Sequence, residues 1–435
     1  TNPASNTSTF TFSGNNNKTI NGTSLANANR INCIEVNTTG TLAMTGQITI
    51  KGRWTNTNIG GFTPGSSTVN FSGNSAQISS GNTSADRAYF DNLTVLSTST
   101  LSILASSQVD LNGDLTNNGN ISSNTSLLRL TGAAQTIGGS STTSLNAVDV
   151  SSGGIKTVSS PLVILDSVGV SAAGTLASGG NVTLRSVAVQ KAKIARIATG
   201  GSVSGAVAVQ NFFPGGTTGW TNLCSPGVTG QTMANWNTAF AITCSGCPFT
   251  EVAGAPFTSI YSYDETLGAG QASASAHYIP IASLGQSIVD NTGYWVYLGD
   301  GQTTTNDITA VMTGNINQGG SVSYNLTLTG GGPNSENGWN LISNPYPAPI
   351  SLASMFAGQT SDVDNSILVW NPDSNGGNGD WTIHTIGGGG DVIPMGQGFM
   401  VRVLLLNNLG LTSSETWKNV SNASVERMSH QGQFN

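Results

Sequence analysis

Charged side chains are scarce in this sequence of 435 residues. Aspartate, glutamate, lysine and arginine together make up only 8% of it, against roughly 25% in an average globular protein. This low charge density excludes a disordered chain kept open by its net charge, and it excludes a coiled coil, which needs glutamate and lysine in bulk. With 14 basic and 21 acidic residues the net charge is −7, so we expect no basic surface for nucleic acid.

Histidine and long apolar runs are also scarce. Three histidines leave little material for acid–base catalysis or for histidine-bound metals. No stretch approaches the roughly 18 consecutive apolar residues of a membrane-spanning helix. The sequence lacks a GxSxG elbow, a phosphate-binding loop and an HExxH motif. We therefore expect a protein that is not an enzyme, needs no cofactor, binds no nucleic acid and does not span a membrane.

Cysteine occurs four times, and three of the four lie close together as Cys224, Cys244 and Cys247. A disulfide from Cys224 to Cys244 or to Cys247 is expected in an oxidising compartment. The CxxC spacing is also that of half a zinc site, but no second CxxC or nearby histidine completes one, so a structural bridge or simple thiols are favoured. The chain begins at Thr1 without methionine, which is typical of a processed secreted protein.

Aromatic residues divide the chain into two parts. Only seven of the 29 phenylalanines, tryptophans and tyrosines precede residue 200, and prolines are distributed in the same way. The change falls near residues 199–205. We predict one domain over residues 1–198 and two further lobes over residues 199–330 and 331–435.

The first part repeats a short motif. An FSG or LTG triplet recurs at a spacing of 59 residues, at residues 12–14, 71–73 and 130–132. Apolar residues alternate within each unit, as at Ile48 and Ile50, which indicates strands with one buried face. A unit of 59 residues would divide into three coils of about 20, close to one turn of a parallel β-helix. We predict an all-β fold that begins with a right-handed parallel β-helix of three such units plus a cap. An array of β-sandwiches is the alternative, and the basic residues at 191–196 are interpreted as a cap or linker.

The second part is duplicated. Three landmarks occur twice in the same order, at residues 219–226 and 338–345 (GWTNLCSP and GWNLISNP), 260–264 and 367–371, and 293–297 and 398–402. Short aromatic and β-branched runs between Gly, Pro and Asn loops are typical of strands. We predict two β-sandwich-like lobes, with short helical turns at residues 233–240 and 351–356.

These motifs resemble those of large secreted surface proteins of the Bacteroidetes. The likeness rests on GWNLISNPYP at residues 338–347, IPMGQGFMV at 393–401, SIYSYDE at 259–265 and the FSG-to-NLTV unit at 71–95. The resemblance implies a β-helical stalk, export by the type IX secretion route and an extracellular or cell-surface location. Such proteins usually end in a C-terminal sorting domain, and residues 425–430 are not followed by one, which leaves the mode of anchoring open. The resemblance also makes Ser167, within Asp166-Ser167-Val168, a candidate for O-glycosylation, although three-residue motifs arise easily by chance.

Two groups of residues are candidates, one for metal binding and one for catalysis. The side-chain oxygens of Asp373, Asn375 and Asp380 have a spacing typical of calcium ligands. An ordinary Asn/Gly turn would have the same sequence, and this interpretation is favoured. Glu35 and Asp149 occupy the same position in their repeats, and both are expected to point outward. Two such carboxylates are not enough for a site that cleaves polysaccharides.

The aromatic residues of the second part are a further candidate surface. Most of its tryptophans and tyrosines alternate with apolar residues, so we predict that they belong to the core. Trp220 and Trp381 lie beside loops, and for them stacking on a sugar ring stays open.

The sequence favours a non-catalytic extracellular structural protein that assembles with copies of itself into a filament or surface layer. Residues 412–435 would add a strand to a neighbouring subunit. The first alternative is an adhesin that binds glycans or another surface. The second is a carbohydrate-active β-helix enzyme.

Overall fold

The computed structural model describes residues 8–22, 31–63, 65–213, 219–248, 251–252, 255–267, 274–298, 307–329, 337–372, 374, 379–388, 392–404 and 408–419. It is all-β, with 55% strand and 4% helix, and it contains a parallel β-solenoid of about nine turns followed by antiparallel sheets. The predicted fold class is thereby confirmed. No helix in the described ranges is long and apolar enough to cross a membrane.

The chain forms two compact units. The first contains Thr1–Arg185 and Ile197–Val207, and the second contains Ser186–Arg196 and Ala208–Asn435. The predicted boundary between residues 198 and 199 lies in the stretch where the chain passes between them. Each unit is described by itself.

The strands up to residue 204 are mostly short. They are β1 (Thr9–Gly14), β2 (Lys18–Gly22), β3 (Cys33–Ile50), β4 (Arg53–Thr63), β5 (Thr68–Phe71), β6 (Ala76–Ser80), β7 (Ala88–Phe90), β8 (Asn92–Val95), β9 (Thr100–Ile103), β10 (Gln108–Leu111), β11 (Leu115–Asn117), β12 (Asn120–Ser123), β13 (Leu127–Leu130), β14 (Gln135–Gly138), β15 (Thr143–Val150), β16 (Gly154–Val158), β17 (Leu162–Val170), β18 (Gly174–Ala177), β19 (Val182–Leu184), β20 (Ser186–Val187), β21 (Gln190–Lys191), β22 (Lys193–Ile197) and β23 (Ser202–Ser204).

The solenoid strands form three parallel faces. The first face has the order β12-β9-β6-β4-β3-β1, the second runs β3-β5-β8-β11-β14-β16-β18-β23, and the third runs β7-β10-β13-β15-β17-β19. The long strand β3 turns a corner and contributes to the first two faces. Each of these strands pairs with the strand one turn away, and the strands within each face are therefore parallel to one another.

Inward side chains stack in apolar columns along the solenoid. On the second face, one column consists of Ile48, Val69, Leu93, Leu115, Ile137 and Val158, which are paired in register and all buried. Because side chains alternate across a strand, the period-two pattern places these residues inside and the Ser, Thr and Asn residues between them outside. Burial of such columns is the main stabilising contribution in a solenoid.

The 59-residue offset does not correspond to whole turns. Residues paired across neighbouring turns are 24 positions apart from Val69 to Leu93 and 22 from Leu93 to Leu115. The repeated triplets begin at Phe12 on the first face, Phe71 on the second and Leu130 on the third. The offset is therefore about two and two-thirds turns, and the prediction of three coils per unit is wrong.

The second unit contains two lobes. The first lobe consists of β24 (Val207–Phe213), β25 (Gly219–Leu223), α1 (Met233–Asn237), β26 (Glu251–Val252), β27 (Ala255–Pro256), β28 (Ile260–Tyr263), β29 (Tyr278–Pro280), β30 (Tyr294–Leu298) and β31 (Ile308–Gly314). The second lobe consists of β32 (Ser323–Leu326), β33 (Trp339–Ser343), β34 (Ile350–Ser351), α2 (Leu352–Met355), β35 (Val363–Asn371), β36 (Asp380–Thr385), β37 (Val392–Ile393), β38 (Gly398–Val403) and β39 (Leu409–Thr412). Short 3₁₀ turns occupy Ala274–His277 and Glu415–Trp417.

The two lobes share one topology. Each has a four-stranded antiparallel sheet, in the order β25-β30-β28-β29 in the first lobe and β33-β38-β35-β36 in the second. In each lobe the first and last strands also pair, β24 with β31 and β32 with β39. The helical turns predicted in each lobe are present as α1 and α2.

Candidate binding surface

Strand register defines which residues of the two lobes are equivalent. Trp220 faces Tyr297 across β25 and β30, and Trp339 faces Arg402 across β33 and β38. In the same way Tyr261 and Trp295 correspond to Leu368 and Met400, and Tyr263 and Tyr278 correspond to Trp370 and Trp381. All these residues lie on the outer face of their sheet, because the alternate residues point into the lobe core.

The lobes pack against each other with approximate two-fold symmetry. Leu223 forms an antiparallel bridge with Gln397, and Thr292 forms one with Ile342. Leu223 and Ile342 are equivalent in the two lobes, and so are Thr292 and Gln397. The contact therefore uses the same patch of each lobe, as an isologous dimer interface does.

A cluster of four tryptophans and tyrosines lies at this contact. The ring centroid of Trp295 is 4.8 Å from that of Trp370, 5.6 Å from Trp381 and 6.1 Å from Tyr278. Trp370 and Trp381 meet edge to face at 5.3 Å, and their equivalents Tyr263 and Tyr278 do so at 5.2 Å. The rings are half-buried, so the contact is only partly closed to solvent.

The cluster continues into an aromatic surface on the first lobe. Trp220 stacks on Trp295 with ring planes 20° apart, and its centroid lies 5.6 Å from Phe257, 5.9 Å from Tyr261 and 5.4 Å from Tyr297. We call Trp220, Phe257, Tyr261 and Tyr297 the first-lobe patch. All four side chains are half-buried. Their large, nearly rigid rings can contact a ligand at small entropic cost.

The outer face of the second lobe is different in chemistry. The guanidinium of Arg402 lies 6.0 Å from the ring of Trp339, and its Nη1 atom is 4.0 Å from Asp364 Oδ2. At the position of Tyr297 the second lobe thus carries a cation with a carboxylate partner.

Tyr263 and Tyr278 are neutral side chains. Burial raises the pKa of Tyr263 well above its usual value, and neighbouring Tyr278 and Glu265 raise it further. Burial also raises the pKa of Tyr278. Both hydroxyls therefore keep their protons at physiological pH and can donate hydrogen bonds.

Buried polar groups hold the lobes together. Glu265 of the first lobe accepts hydrogen bonds from the backbone amides of Thr329 (2.8 Å) and Gly338 (3.1 Å). Gln397 Nε2 donates to the carbonyl oxygen of Asn222 at 2.7 Å. Such buried charge-assisted and amide bonds fix the relative position of the lobes, because leaving them unmade would be costly.

A family model described as a domain of unknown function (DUF8693) matches residues 235–382. The match begins within α1 and ends in β36, so it includes parts of both lobes and their aromatic contact. Comparison with curated proteins found no match, and neither did comparison with solved structures.

The cysteines differ from the expectation. The disulfide joins Cys244 to Cys247 within the CxxC. Cys224 is a buried thiol whose Sγ donates to the carbonyl oxygen of Asn344 at 3.5 Å. The predicted bridge from Cys224 is wrong because β25 places this side chain in the contact with the second lobe.

Of the three calcium candidates, only Asp380 lies within the described residues. Asp373 and Asn375 lie outside the described residues. Asp380 is exposed at the start of β36, where its Oδ1 accepts the backbone N–H of Trp381 at 2.7 Å. Among the described residues, no group of three or more His, Cys, Asp or Glu side chains could hold a metal ion.

Ser167 and the acidic candidates lie on the solenoid. Ser167 is half-buried on β17, and its hydroxyl donates to Asp166 Oδ2 at 3.0 Å. Glu35 lies on the first face, whereas Asp149 lies on the third. The predicted shared column is wrong, for the same reason that the 59-residue offset is not a whole number of turns.

Asp149 belongs to a ladder of alternating charges. Asp110, Arg129 and Asp149 are successive register partners on the third face. Arg129 lies 3.3 Å from each aspartate, and Arg87 Nε is 3.1 Å from Asp110 Oδ2. Opposite charges one turn apart avoid the repulsion that stacked like charges would cause.

The basic stretch at residues 191–196 and the first part of the C-terminal tail both make contacts within the second unit. Arg196, from the basic stretch at 191–196, donates to the carbonyl oxygens of Glu415 and Thr416, both at 3.2 Å. In the C-terminal tail, Thr412 pairs with Ser323, and Trp417 is buried. Residues up to 419 are thus used by the second lobe itself, and residues 420–435 lie outside the described ones.

The sequence did not identify Trp295, Trp370 or Tyr278 as surface residues. They alternate with apolar residues, and alternation in a strand means that they face away from the core. Tyr294, Val296 and Leu298 fill the core, and Trp295 lies between them on the other side. An alignment of the duplicated strands by register would have identified these residues as a row on the outer face of the sheet.

Proposed function

We propose that this chain is a non-catalytic extracellular surface protein of the adhesin type. In this proposal the solenoid is the rigid structural part, and the duplicated lobes carry the binding surface. The observation that carries the proposal is the row of half-buried aromatic rings from Phe257 through Trp220 and Trp295 to Trp381. Aromatic rings gathered outside a core, and still partly exposed, are typical of recognition surfaces.

An extracellular location is part of the proposal. The Cys244–Cys247 disulfide supports it, because such bonds persist mainly in oxidising compartments. The resemblance to Bacteroidetes surface proteins supports it too, together with export by the type IX route.

The test uses the full chain, labelled with a fluorophore. It is incubated with insoluble polysaccharides, bacterial cell-wall preparations and extracellular-matrix proteins, and retained fluorescence and released reducing sugar are both measured. We expect saturable retention on at least one surface and no release of sugar. No retention on any of them would contradict the adhesin proposal, and sugar release would favour the enzyme alternative.

Self-assembly is the second candidate, and one observation favours it. Strand β1 pairs with β3 along one edge, and within the described ranges no strand pairs with its other edge. Phe10 on this strand is 56% exposed. Open edges invite pairing with another chain. Filaments in negative-stain electron microscopy that vanish when residues 1–14 are deleted would support assembly, and monodisperse particles at high concentration would contradict it.

A further inference from the structure

The outer faces of the two lobes agree at some equivalent positions and differ at others. The aromatic pair Tyr263–Tyr278 of the first lobe is matched by the pair Trp370–Trp381 of the second. Both lobes therefore keep an edge-to-face aromatic pair at these equivalent positions.

The first-lobe patch is matched in the second lobe only at Trp220, whose equivalent is Trp339. Tyr261 and Tyr297 correspond to Leu368 and Arg402 in the second lobe. The ring contacts of Phe257, Tyr261 and Tyr297 are with Trp220 or with one another. Tyr261 and Tyr297 face away from the lobe core, and the second lobe is built without aromatic rings at their positions.

We infer that the first-lobe patch is a binding site for a neutral saccharide, an inference that rests on the proposed function. A pyranose ring has apolar C–H faces and a rim of hydroxyl groups. The aromatic faces of Trp220 and Phe257 suit the C–H face, whose hydrogens are attracted by the negative face of the ring. The hydroxyls of Tyr261 and Tyr297 can exchange hydrogen bonds with the rim.

The charge of the patch selects the class of saccharide. None of its four side chains is charged, so it offers an anionic sugar no cation. The second lobe does carry a cation at the position of Tyr297, namely Arg402.

The test compares the patch with its counterpart in the second lobe. The full chain is titrated with cellohexaose, xylohexaose, mannohexaose and, as an anionic probe, hexagalacturonic acid, using isothermal titration calorimetry. We expect a neutral hexasaccharide to bind, and Trp220→Ala to weaken its binding at least about tenfold, the scale of one stacking contact. Tyr297→Arg, which copies the second lobe, should do the same. Trp339→Ala, at the position equivalent to Trp220, should leave affinity within about twofold.

Several outcomes would overturn the inference. Equal losses of affinity for Trp220→Ala and Trp339→Ala would contradict the assignment of the binding site to the first lobe. Binding of the anionic probe alone would contradict the assignment to a neutral saccharide. If the full chain adheres to a surface but binds none of the neutral hexasaccharides, the inference fails and the adhesin proposal stands. If it adheres to no surface, both fail. Tyr297→Arg keeps the strand pairing of β30, so an unchanged thermal melt separates lost binding from lost folding.

Discussion

Gly293 and Gly398 occupy equivalent positions in the two lobes and lie against each other at their contact. A Cβ atom placed on Gly398 would stand 3.2 Å from the Cα atom of Gly293. A Cβ on Gly293 would come 2.7 Å from the carbonyl oxygen of Ile342, and one on Gly398 would come 3.1 Å from that of Leu223. The approximate symmetry axis thus passes where neither lobe has room for a side chain.

Gly293→Ala is therefore expected to destabilise the second unit. Backbone atoms cannot give way as a flexible side chain can, so the free energy of unfolding should fall by about 1–3 kcal/mol. Gly398→Ala should cost less, because its nearest atom is farther away. Urea denaturation followed by tryptophan fluorescence measures both, since three tryptophans, Trp295, Trp370 and Trp381, lie at the contact. Gly410→Ala, which meets nothing within 4 Å, is the control and should stay within about 0.5 kcal/mol of the parent. A Gly293→Ala protein as stable as this control would contradict the packing described.

Lys156 is a buried cation surrounded by carbonyl oxygens. Its Nζ donates to Gly132 at 2.6 Å and to Gly153 at 2.7 Å, and burial lowers its pKa. Its register partner one turn earlier is Gln135, which donates to the carbonyl oxygens of Leu111 and Gly113. Lys156→Gln should therefore preserve stability, whereas Lys156→Met should lose about 1–3 kcal/mol because carbonyl groups are left without donors.

The pH dependence of stability tests the charge of Lys156 directly. The folded-state pKa lies below the unfolded value, which is roughly 10.4. At a pH between these two pKa values, the unfolded chain binds more protons than the folded protein. The free energy of unfolding of the unmodified protein should therefore rise, relative to that of Lys156→Gln, as the pH increases through this range. Urea melts of both proteins at neutral and at alkaline pH give the difference. A difference that stays constant, or that moves the other way, would show that the folded protein does not penalise this charge.

Much of the fold follows from the sequence because strand alternation is a local property. Ile48 and Ile50 are both buried, as their spacing predicts. The number of residues per turn is not local: it depends on the corners, where loops of different length join the faces. The equal spacing of Gly14, Gly73 and Gly132 therefore gave a regular period that the solenoid does not have.

The binding surface was harder to predict than the fold. The duplication was visible in the GWTNL and GWNLI segments, but the sequence does not say which edges of the two lobes meet. That contact determines that Trp295 lies beside Trp370, 75 positions away. It also buries Cys224 against Asn344, away from the CxxC. Such relationships depend on tertiary packing, which no local pattern encodes.

The charge ladder on the third face should depend most on Asp110, the carboxylate that lies between two arginines. Asp110 is buried and faces both Arg87 and Arg129, whereas Asp149 is half-buried and faces only Arg129 in this ladder. Asp110→Asn is expected to lower the free energy of unfolding by about 1–3 kcal/mol, since it weakens two charge-assisted contacts. Asp149→Asn should cost about 0–1 kcal/mol, the usual range for a solvated ion pair. Urea denaturation at low and high salt compares them, and equal costs would contradict the ladder.

The cysteine arrangement predicts an order of chemical reactivity. Cys33 is half-buried and a thiol, Cys224 is fully buried, and Cys244 and Cys247 are bridged. Iodoacetamide added to the native, unreduced protein should modify Cys33 first, because alkylation needs an accessible thiolate. Cys224 should react at least roughly tenfold more slowly, since its thiol is reached only when the lobes open. Cys244 and Cys247 should react only after reduction. Peptide mapping by mass spectrometry reads all four sites at once. A peptide that links Cys224 to Cys244 or Cys247 would restore the pairing expected from the sequence, and it would require β25 to leave the lobe contact.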